Sequence, residues 1–299
     1  MVCGDLNQGV FFGDLQDVLS TFLDEQLKDS EVSLTAPMPA MIKSPSNISS
    51  RDDILKLKSF LKKKLVGQDS AIDIVIDHMK LVATNLSSYS SLFFIGPTGV
   101  GKTELARLLG RRYSGNFFKI NCAEYASQHE YSKLIGSPPG YVGHSDKSLL
   151  AEKAEKSNRW VFLFDEVEKA HAKFFDFLLS LLDEGTVTDN MGKTLDFSES
   201  IFIFTSNQGV SDLDSAGNKV GFGNSSLSDK EIKSLLKGSL KKAFSPEFMN
   251  RIDSFVYFNS LSKDDVKKIA SLSLTGIPVK KLKCLITYIV DNSFSEEYG

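Results

Sequence analysis

The chain has 299 residues, of which 41% are hydrophobic and 24% are charged, with a formal net charge of −3. This is ordinary globular composition, and the length allows one sizeable domain plus a smaller one. The slightly acidic balance gives no electrostatic signature of nucleic-acid binding, so we expect no nucleic-acid partner. The 3 cysteines form no C-x-x-C pair, which argues against a disulfide framework or a zinc site.

The sequence carries no signal for a membrane or for export. No run reaches the roughly 18 apolar residues of a transmembrane helix. The N-terminus shows no basic region followed by an apolar stretch, so we expect no signal peptide. We therefore predict a cytoplasmic location and no membrane partner.

Residues 1–50 differ in character from the rest of the chain. Apolar side chains recur at helical spacing between Phe11 and Leu27, which predicts one amphipathic helix. The Ser- and Pro-rich stretch from Val32 to Ser50 predicts a linker. The helix could pack on the chain's own core or dock on a partner or a neighbouring subunit, and the sequence leaves both alternatives open.

Residues 51–260 alternate between helical patterns and short apolar runs, which predicts a large α/β domain. Such runs, separated by helices, indicate a five-stranded parallel sheet between helices. The predicted strands are Leu92–Ile95, Phe117–Ile120, Trp160–Phe164, Ile201–Thr205 and Phe255–Phe258. Residues 261–299 predict a small, shortened helical domain, with helices at Lys263–Leu274 and Val279–Asp291.

A phosphate-binding motif follows the first predicted strand. It matches G-x-x-x-x-G-K-[ST] and leads directly into a helical pattern, which is the context that this motif requires. Its glycines allow a tight turn whose N–H groups face phosphates, and the helix N-terminus adds partial positive charge. The last two residues predict a Lys for the β- and γ-phosphates of ATP and a Thr for Mg²⁺. The residues are Gly96, Pro97, Thr98, Gly99, Val100, Gly101, Lys102 and Thr103.

Polar residues follow two of the other predicted strands. Asp165 and Glu166 follow the buried run Val161–Phe164, where open α/β sheets bind ligands. We predict that Asp165 holds Mg²⁺ through water and that Glu166 orients and polarises the attacking water. Asn207 follows the run Ile201–Thr205 and could hydrogen-bond that water or the γ-phosphate.

Several ordered motifs together resemble the second ATPase domain of Clp-type AAA+ unfoldases, such as ClpB, ClpA and ClpC. The resemblance covers the chain from about Leu55 onward. The motifs are LVGQDSAI, GPTGVGKTELA, KLIGSPPGYVG, FLFDEVEKAH, LLDEGTVTDNMGKTLDF, TSNQG and FSPEFMNRID.

The resemblance implies a nucleotide-dependent hexameric ring that unfolds protein substrates. It places Gly67 and Gln68 beside the adenine and makes Asn207 the residue known as sensor 1. It makes Arg251 an arginine finger that reaches a neighbour's γ-phosphate, where it would stabilise the charge that develops during transfer.

Two further segments carry the resemblance to substrate and partner. The GYVG stretch resembles the pore loop that grips polypeptide, with Tyr141 and Val142 as its apolar contact. Val220-Gly221-Phe222 resembles the loop that docks Clp unfoldases on a ClpP-like peptidase. The expected output is threading of protein past Tyr141, with docking on a peptidase as a weaker expectation.

The sequence also departs from the family pattern. It contains one phosphate-binding loop, which predicts a single-ring relative or a fragment. The family's sensor 2 arginine would follow just after Tyr298-Gly299 and is not in this sequence. These departures leave open an assembly or regulatory protein that binds ATP with weak turnover. A second alternative is a nucleic-acid motor such as a helicase loader, although the net acidity and the GYVG stretch argue against it.

Overall fold

A computed structural model describes residues 51–83, 89–127, 130, 132–136, 147–209 and 229–274. These residues fall into two compact units, one ending at Ser260 and the other containing residues 261–274. The helix predicted before residue 51, the Tyr141–Val142 pair, the Val220–Phe222 loop and the helix predicted at Val279–Asp291 lie outside the described residues.

The larger unit holds a five-stranded sheet, and all of its strand pairs are parallel. The order across the sheet is β2-β3-β6-β1-β7. The five predicted strands are confirmed, with ends that differ by one or two residues. The strands are β1 (Ser90–Ile95), β2 (Phe117–Asn121), β3 (Val161–Asp165), β6 (Ile201–Ser206) and β7 (Ser254–Tyr257).

Two very short strands form a separate antiparallel hairpin that the sequence did not reveal. They are β4 (Thr186–Thr188) and β5 (Thr194–Asp196). Each has only three residues, which is too short to show the alternation that identifies a strand. Asp189 shapes the turn between them, because its Oδ1 accepts hydrogen bonds from the backbone N–H groups of Met191 and Lys193 at 2.9 and 2.8 Å.

Helices connect the parallel strands, as crossover connections require. Within the described ranges, no helix is both long enough and apolar enough to cross a membrane. The helix predicted at Lys263–Leu274 is confirmed as α9, in the smaller unit. The helices are α1 (Arg51–Lys64), α2 (Asp69–Ala83), α3 (Lys102–Tyr113), α4 (Ser132–Ile135), α5 (Leu149–Lys156), α6 (Ala172–Glu184), α7 (Asp229–Ala243), α8 (Pro246–Asn250) and α9 (Lys263–Leu274).

The core on one side of the sheet is built largely from phenylalanine. Phe93, in the interior strand β1, is fully buried, and its ring centroid lies 5.4 Å from that of Phe244 and 6.3 Å from that of Phe248. Such ring pairs add specific edge-to-face contacts to the burial of apolar area. This packing fixes the short helix α8 against the sheet, and Arg251 directly follows α8.

Truncation of this core should destabilise the larger unit strongly. We expect Phe93→Ala to lower the free energy of unfolding by about 3–5 kcal/mol, because it removes buried ring contacts and leaves a cavity. The matched control is Leu55→Ala on α1, where the side chain is 52% exposed and the expected change is below about 1 kcal/mol. Urea unfolding of both variants measures the difference; equal losses would contradict the assignment of Phe93 to the central core.

Candidate nucleotide site

The loop between β1 and α3 requires glycine at two positions. A Cβ atom on Gly96 would lie 2.7 Å from the backbone oxygen of Phe258, so the loop and the Phe258 backbone leave no room for a side chain here. Gly101 has a φ of 105°, which L residues rarely adopt, and it directly precedes α3. The unpaired N–H groups of the first turn of α3 therefore follow a tight backbone turn, and this arrangement suits an anion.

Lys102 is buried and is held by acceptors on three residues. Its Nζ donates hydrogen bonds to the backbone oxygens of Gly96 and Pro97 at 2.5 and 2.7 Å and to Asn207 Oδ1 at 2.7 Å. Burial lowers the pKa of Lys102 to about 8, against an opposing effect of nearby carboxylates, chiefly Asp165. The ammonium group is thus fixed at the loop that the sequence predicts to bind phosphate.

Asp165 ends β3 and lies at the centre of a polar cluster. Its Oδ1 accepts a hydrogen bond from Thr205 Oγ1 at 2.5 Å and a long one from Thr103 Oγ1 at 3.5 Å. Its Oδ2 pairs with Lys119 Nζ at 2.5 Å. The structure thus brings the two predicted magnesium ligands, Thr103 and Asp165, together, and adds Lys119 and Thr205, which the sequence analysis did not identify.

Glu166 has an unusual backbone conformation. Its φ of 55° and ψ of 52° make it the only residue other than glycine with a positive φ in the described ranges. A conformation of this kind costs on the order of 1 kcal/mol or more and is found preferentially at functional sites. The backbone N–H of Glu166 donates to Thr205 Oγ1 at 3.0 Å, and its carboxylate pairs with Lys169 at 2.6 Å. Thr205 therefore joins both acidic residues to β6.

Asn207 is joined to the acidic turn by a residue that the sequence analysis missed. The backbone N–H of Asn207 donates to Glu168 Oε1 at 3.2 Å. The other carboxylate oxygen, Glu168 Oε2, is buried and has no hydrogen-bond partner among the described residues. Glu168 lies two residues after Glu166 in the motif FLFDEVEKAH. This position was the one sequence feature that could have identified it as a site residue.

These side chains surround one cavity of about 330 Å³. It brings together eight of the predicted site residues and two others, Glu104 and Thr205. Gly96, Pro97 and Val100 belong to the same loop but are not among the lining residues. The lining consists of Thr98, Gly99, Gly101, Lys102, Thr103, Glu104, Asp165, Glu166, Thr205 and Asn207.

The predicted adenine-side residues, Gly67 and Gln68, are not among the residues that line this cavity. Gln68 is fully buried; it accepts a hydrogen bond from the backbone N–H of Asn259 at 3.0 Å and donates one to the Asn259 backbone oxygen at 2.9 Å. The Gln68 side chain therefore ties the turn between α1 and α2 to the chain that follows β7. The position of this turn beside an adenine stays a prediction.

Arg251 also lies outside the lining of the cavity. It caps the C-terminus of α8 and forms ion pairs with Asp183 of α6 and with Glu247. The hydrogen-bonded Arg251 guanidinium lowers the pKa of the Asp183 carboxyl. Arg251 therefore does not contact the nucleotide cavity of its own chain, which leaves its predicted role in a neighbour's site as a proposal.

The comparisons with known proteins define the class. A family described as "AAA domain (Cdc48 subfamily)" matches residues 87–255. This range is more than half of the chain and contains the whole phosphate-binding loop, both acidic residues, Asn207 and Arg251. The chain belongs to the AAA domain family.

Within that family the similar relatives are Clp proteins. The chain is 36% identical over 268 residues to the chloroplastic chaperone protein ClpC of Pisum sativum, an alignment that covers 83% of this chain and 29% of the relative. It is 36% identical over 260 residues to the ATP-dependent Clp protease ATP-binding subunit ClpC of Staphylococcus epidermidis, which covers 84% and 32%. The resemblance to Clp-type AAA+ proteins is confirmed, and the chain spans about a third of the length of these relatives.

Solved structures of Hsp104 share the fold. A closed-state reconstruction of Hsp104 with ATPγS and FITC-casein matches with a TM-score of 0.68 at 33% identity, over 77% of this chain and 40% of that one. The extended conformation of the Saccharomyces cerevisiae Hsp104–casein complex matches with a TM-score of 0.67 at 34% identity, over 76% and 39%.

The low pKa of Lys102 predicts a pH dependence of stability. Because the pKa falls from 10.5 to about 8 on folding, burial penalises the charged form fully below pH 8, and the penalty vanishes above pH 10.5. The unfolding free energy of the nucleotide-free chain, taken relative to Lys102→Met, should therefore rise by on the order of 1–3 kcal/mol across that window. Denaturant titrations of both proteins at several pH values measure this difference, and a flat or falling difference would contradict it.

Proposed function

We propose that the chain hydrolyses ATP and uses the energy to unfold or remodel proteins as part of a ring. The observation that carries the proposal is the convergence of Lys102, Thr103, Asp165, Glu166 and Asn207 on one cavity at the N-terminus of α3. Phosphoryl transfer to water needs a cation for the phosphates, oxygen ligands for a metal ion and groups that orient the attacking water. These five side chains provide them. Membership of the AAA domain family supports nucleotide binding at this cavity.

The residues present suit Mg²⁺ together with the phosphates of ATP. Asp165 and Thr103 supply hard oxygen donors that already lie 3.5 Å apart. No group of three or more His, Cys, Asp or Glu side chains in the described ranges could form a closed metal cage, and Mg²⁺ is usually held by one or two carboxylates plus substrate phosphates. Asp165 and Thr103 would hold the ion, which would neutralise charge on the phosphates.

The remaining residues take part in the reaction itself. Lys102 would exchange its contacts with the Gly96 and Pro97 carbonyls for the β- and γ-phosphate oxygens. Glu166 would accept a proton from the attacking water and orient it, and Asn207 would hold that water or the γ-phosphate. The strained turn at Glu166 supports this role, since Thr205 fixes the backbone on which the carboxylate stands.

The relatives and the pore-loop motif support the proposals of a ring and of a protein substrate. Two of the solved structures that share the fold are Hsp104 complexes with casein. We propose a nucleotide-dependent hexamer in which Arg251 stabilises the transferring phosphoryl group of a neighbour, an effect of about 10³–10⁵ in rate where it has been studied. Tyr141 and Val142 would grip the polypeptide, and Val220-Gly221-Phe222 would dock a ClpP-like peptidase.

The domain boundaries and the location belong to the same proposal. We place the ATPase domain at 51–260, between an N-terminal extension at 1–50 and a small helical domain at 261–299. The cytoplasm stays the predicted location, while the names of the relatives include chloroplastic proteins as well as a bacterial one.

Removal of the proposed base should separate ATP binding from turnover. We expect Glu166→Gln to lower the rate of ATP hydrolysis by about 10²–10⁴-fold, since it removes the proton acceptor, and to leave ATP affinity nearly unchanged. Glu152→Gln, an exposed change on α5, is the matched control and should have the wild-type rate. Phosphate release and nucleotide titration measure the two quantities, and equal rates for Glu166→Gln and the wild type would refute hydrolysis at this site.

The pore-loop proposal makes a different prediction. Tyr141→Ala should keep ATP hydrolysis within a few-fold of the wild-type rate and lose unfolding of a folded fluorescent protein with a disordered tail. Tyr141→Phe keeps the aromatic ring and should retain unfolding. Loss of fluorescence against time measures the output, and full unfolding by Tyr141→Ala would mean that this residue does not grip the substrate.

A further inference from the structure

The guanidinium group of Arg251 contacts two carboxylates of its own chain. Its Nε and one terminal nitrogen, Nη2, both donate to Asp183, the latter at 3.1 Å. The other terminal nitrogen, Nη1, contacts Glu247 Oε1 at 3.3 Å and the Glu247 backbone oxygen at 3.4 Å. These two partners differ in geometry and in setting.

The contact with Asp183 is bidentate, and other contacts hold Asp183 in place. A carboxylate that faces the Nε–Nη2 edge of a guanidinium fixes both its position and its plane. Asp183 lies in the last turn of α6, and this last turn contains no basic residue. Arg251 therefore supplies the positive charge that the C-terminal end of a helix favours. The Tyr89 hydroxyl donates to the backbone oxygens of Leu182 and Asp183, and this contact fixes the end of α6.

The backbone of Arg251 is fixed as well. Ser91 Oγ donates to the Arg251 backbone oxygen at 2.7 Å. Asp253 returns to the same serine, since its N–H donates to Ser91 Oγ at 2.9 Å and its Oδ2 accepts from the Ser91 N–H at 2.8 Å. The main chain of Arg251 is therefore anchored to β1 and its guanidinium to α6.

The contact with Glu247 is much weaker. Glu247 lies one helical turn away in α8, its side chain is 61% exposed, and it meets only Nη1, at a distance near the limit of a hydrogen bond. Exposed ion pairs of this kind contribute little and are easily exchanged. Asp183 uses only two of the five guanidinium N–H groups, so Nη1 and the second hydrogen of Nη2 stay available for another acceptor.

We infer that Asp183 is a positioning residue for the arginine finger. It keeps its two hydrogen bonds while Nη1 exchanges Glu247 for a phosphate oxygen of ATP bound to a neighbouring copy of the chain. This inference rests on the proposed role of Arg251 in the ring. The benefit is a side chain oriented before the neighbour's nucleotide arrives, and misplacement of a catalytic group by about 1 Å can cost about 10²-fold in rate.

The first test compares the two carboxylates in the full chain under conditions where it assembles. Asp183→Asn should lower ATP turnover by about tenfold or more without changing ATP affinity, because an NH₂ group, which donates, replaces one of the two acceptor oxygens. Glu247→Gln should stay within about twofold of the wild type. Asp183→Glu keeps the charge and should recover part of the lost turnover. Wild-type turnover in Asp183→Asn, or equal losses in the Asn and Glu variants, would overturn the inference.

A mixing experiment distinguishes positioning from general damage. Glu166→Gln subunits are inactive themselves but carry an intact Asp183–Arg251 pair. Mixed with Asp183→Asn subunits, they should raise turnover per Asp183→Asn subunit, since some active sites then receive a correctly held arginine from the neighbour. Arg251→Ala subunits, mixed in the same way, provide the reference for rescue.

The outcomes distinguish the positioning role of Asp183 from the arginine-finger role of Arg251 on which it rests. Rescue of Arg251→Ala without rescue of Asp183→Asn would overturn the positioning role and leave the arginine finger intact. Normal turnover in unmixed Arg251→Ala, or rescue of neither variant, would contradict the arginine finger itself. Rescue of both supports the inference.

Discussion

The parallel pairing of β3 with β6, and of β6 with β1, determines which side chains meet at the nucleotide cavity. Phe164 pairs with Phe204, and Ile95 pairs with Ser206, so all three strands end at one edge of the sheet. The next residues along each strand are then Asp165, Thr205 and the phosphate-binding loop. A slip of one residue between β3 and β6 would exchange the two faces of a strand and separate Thr205 from Asp165. A slip between β6 and β1 would displace both residues from the phosphate-binding loop that follows β1. The buried phenylalanines hold this register.

The charged groups in and beside the cavity already have partners within the chain. Lys119 forms an ion pair with Asp165 and Lys169 forms one with Glu166, while Lys102 donates to neutral oxygens. ATP and Mg²⁺ bring both signs of charge, so their binding would rearrange these pairs. The lowered pKa of Lys102 reflects the same balance, because desolvation of the ammonium group outweighs the attraction of the carboxylates. A bound triphosphate would favour its charged form.

The sequence predicted what depends on local pattern and not what depends on strand order. The five parallel strands and the meeting of Thr103 with Asp165 follow from apolar runs and from motifs that end them. Thr205 and Lys119 became visible only in the structure, because their contacts with Asp165 require a known register between strands distant in sequence. Arg251 was found through its motif, but its partner Asp183 is 68 positions away, and no local signal connects the two. The β4–β5 hairpin was too short to be recognised.

The most direct test of the account is the mass of the Glu166→Gln chain in solution, measured by light scattering at micromolar concentration with and without ATP and Mg²⁺. This variant should hold ATP without consuming it. The account predicts that nucleotide converts the 33.0 kDa chain into a species near six times that mass. A mass that stays at one chain, with ATP shown to be bound, would contradict the ring, and with it the role of Arg251 in a neighbour's site and the threading of substrate.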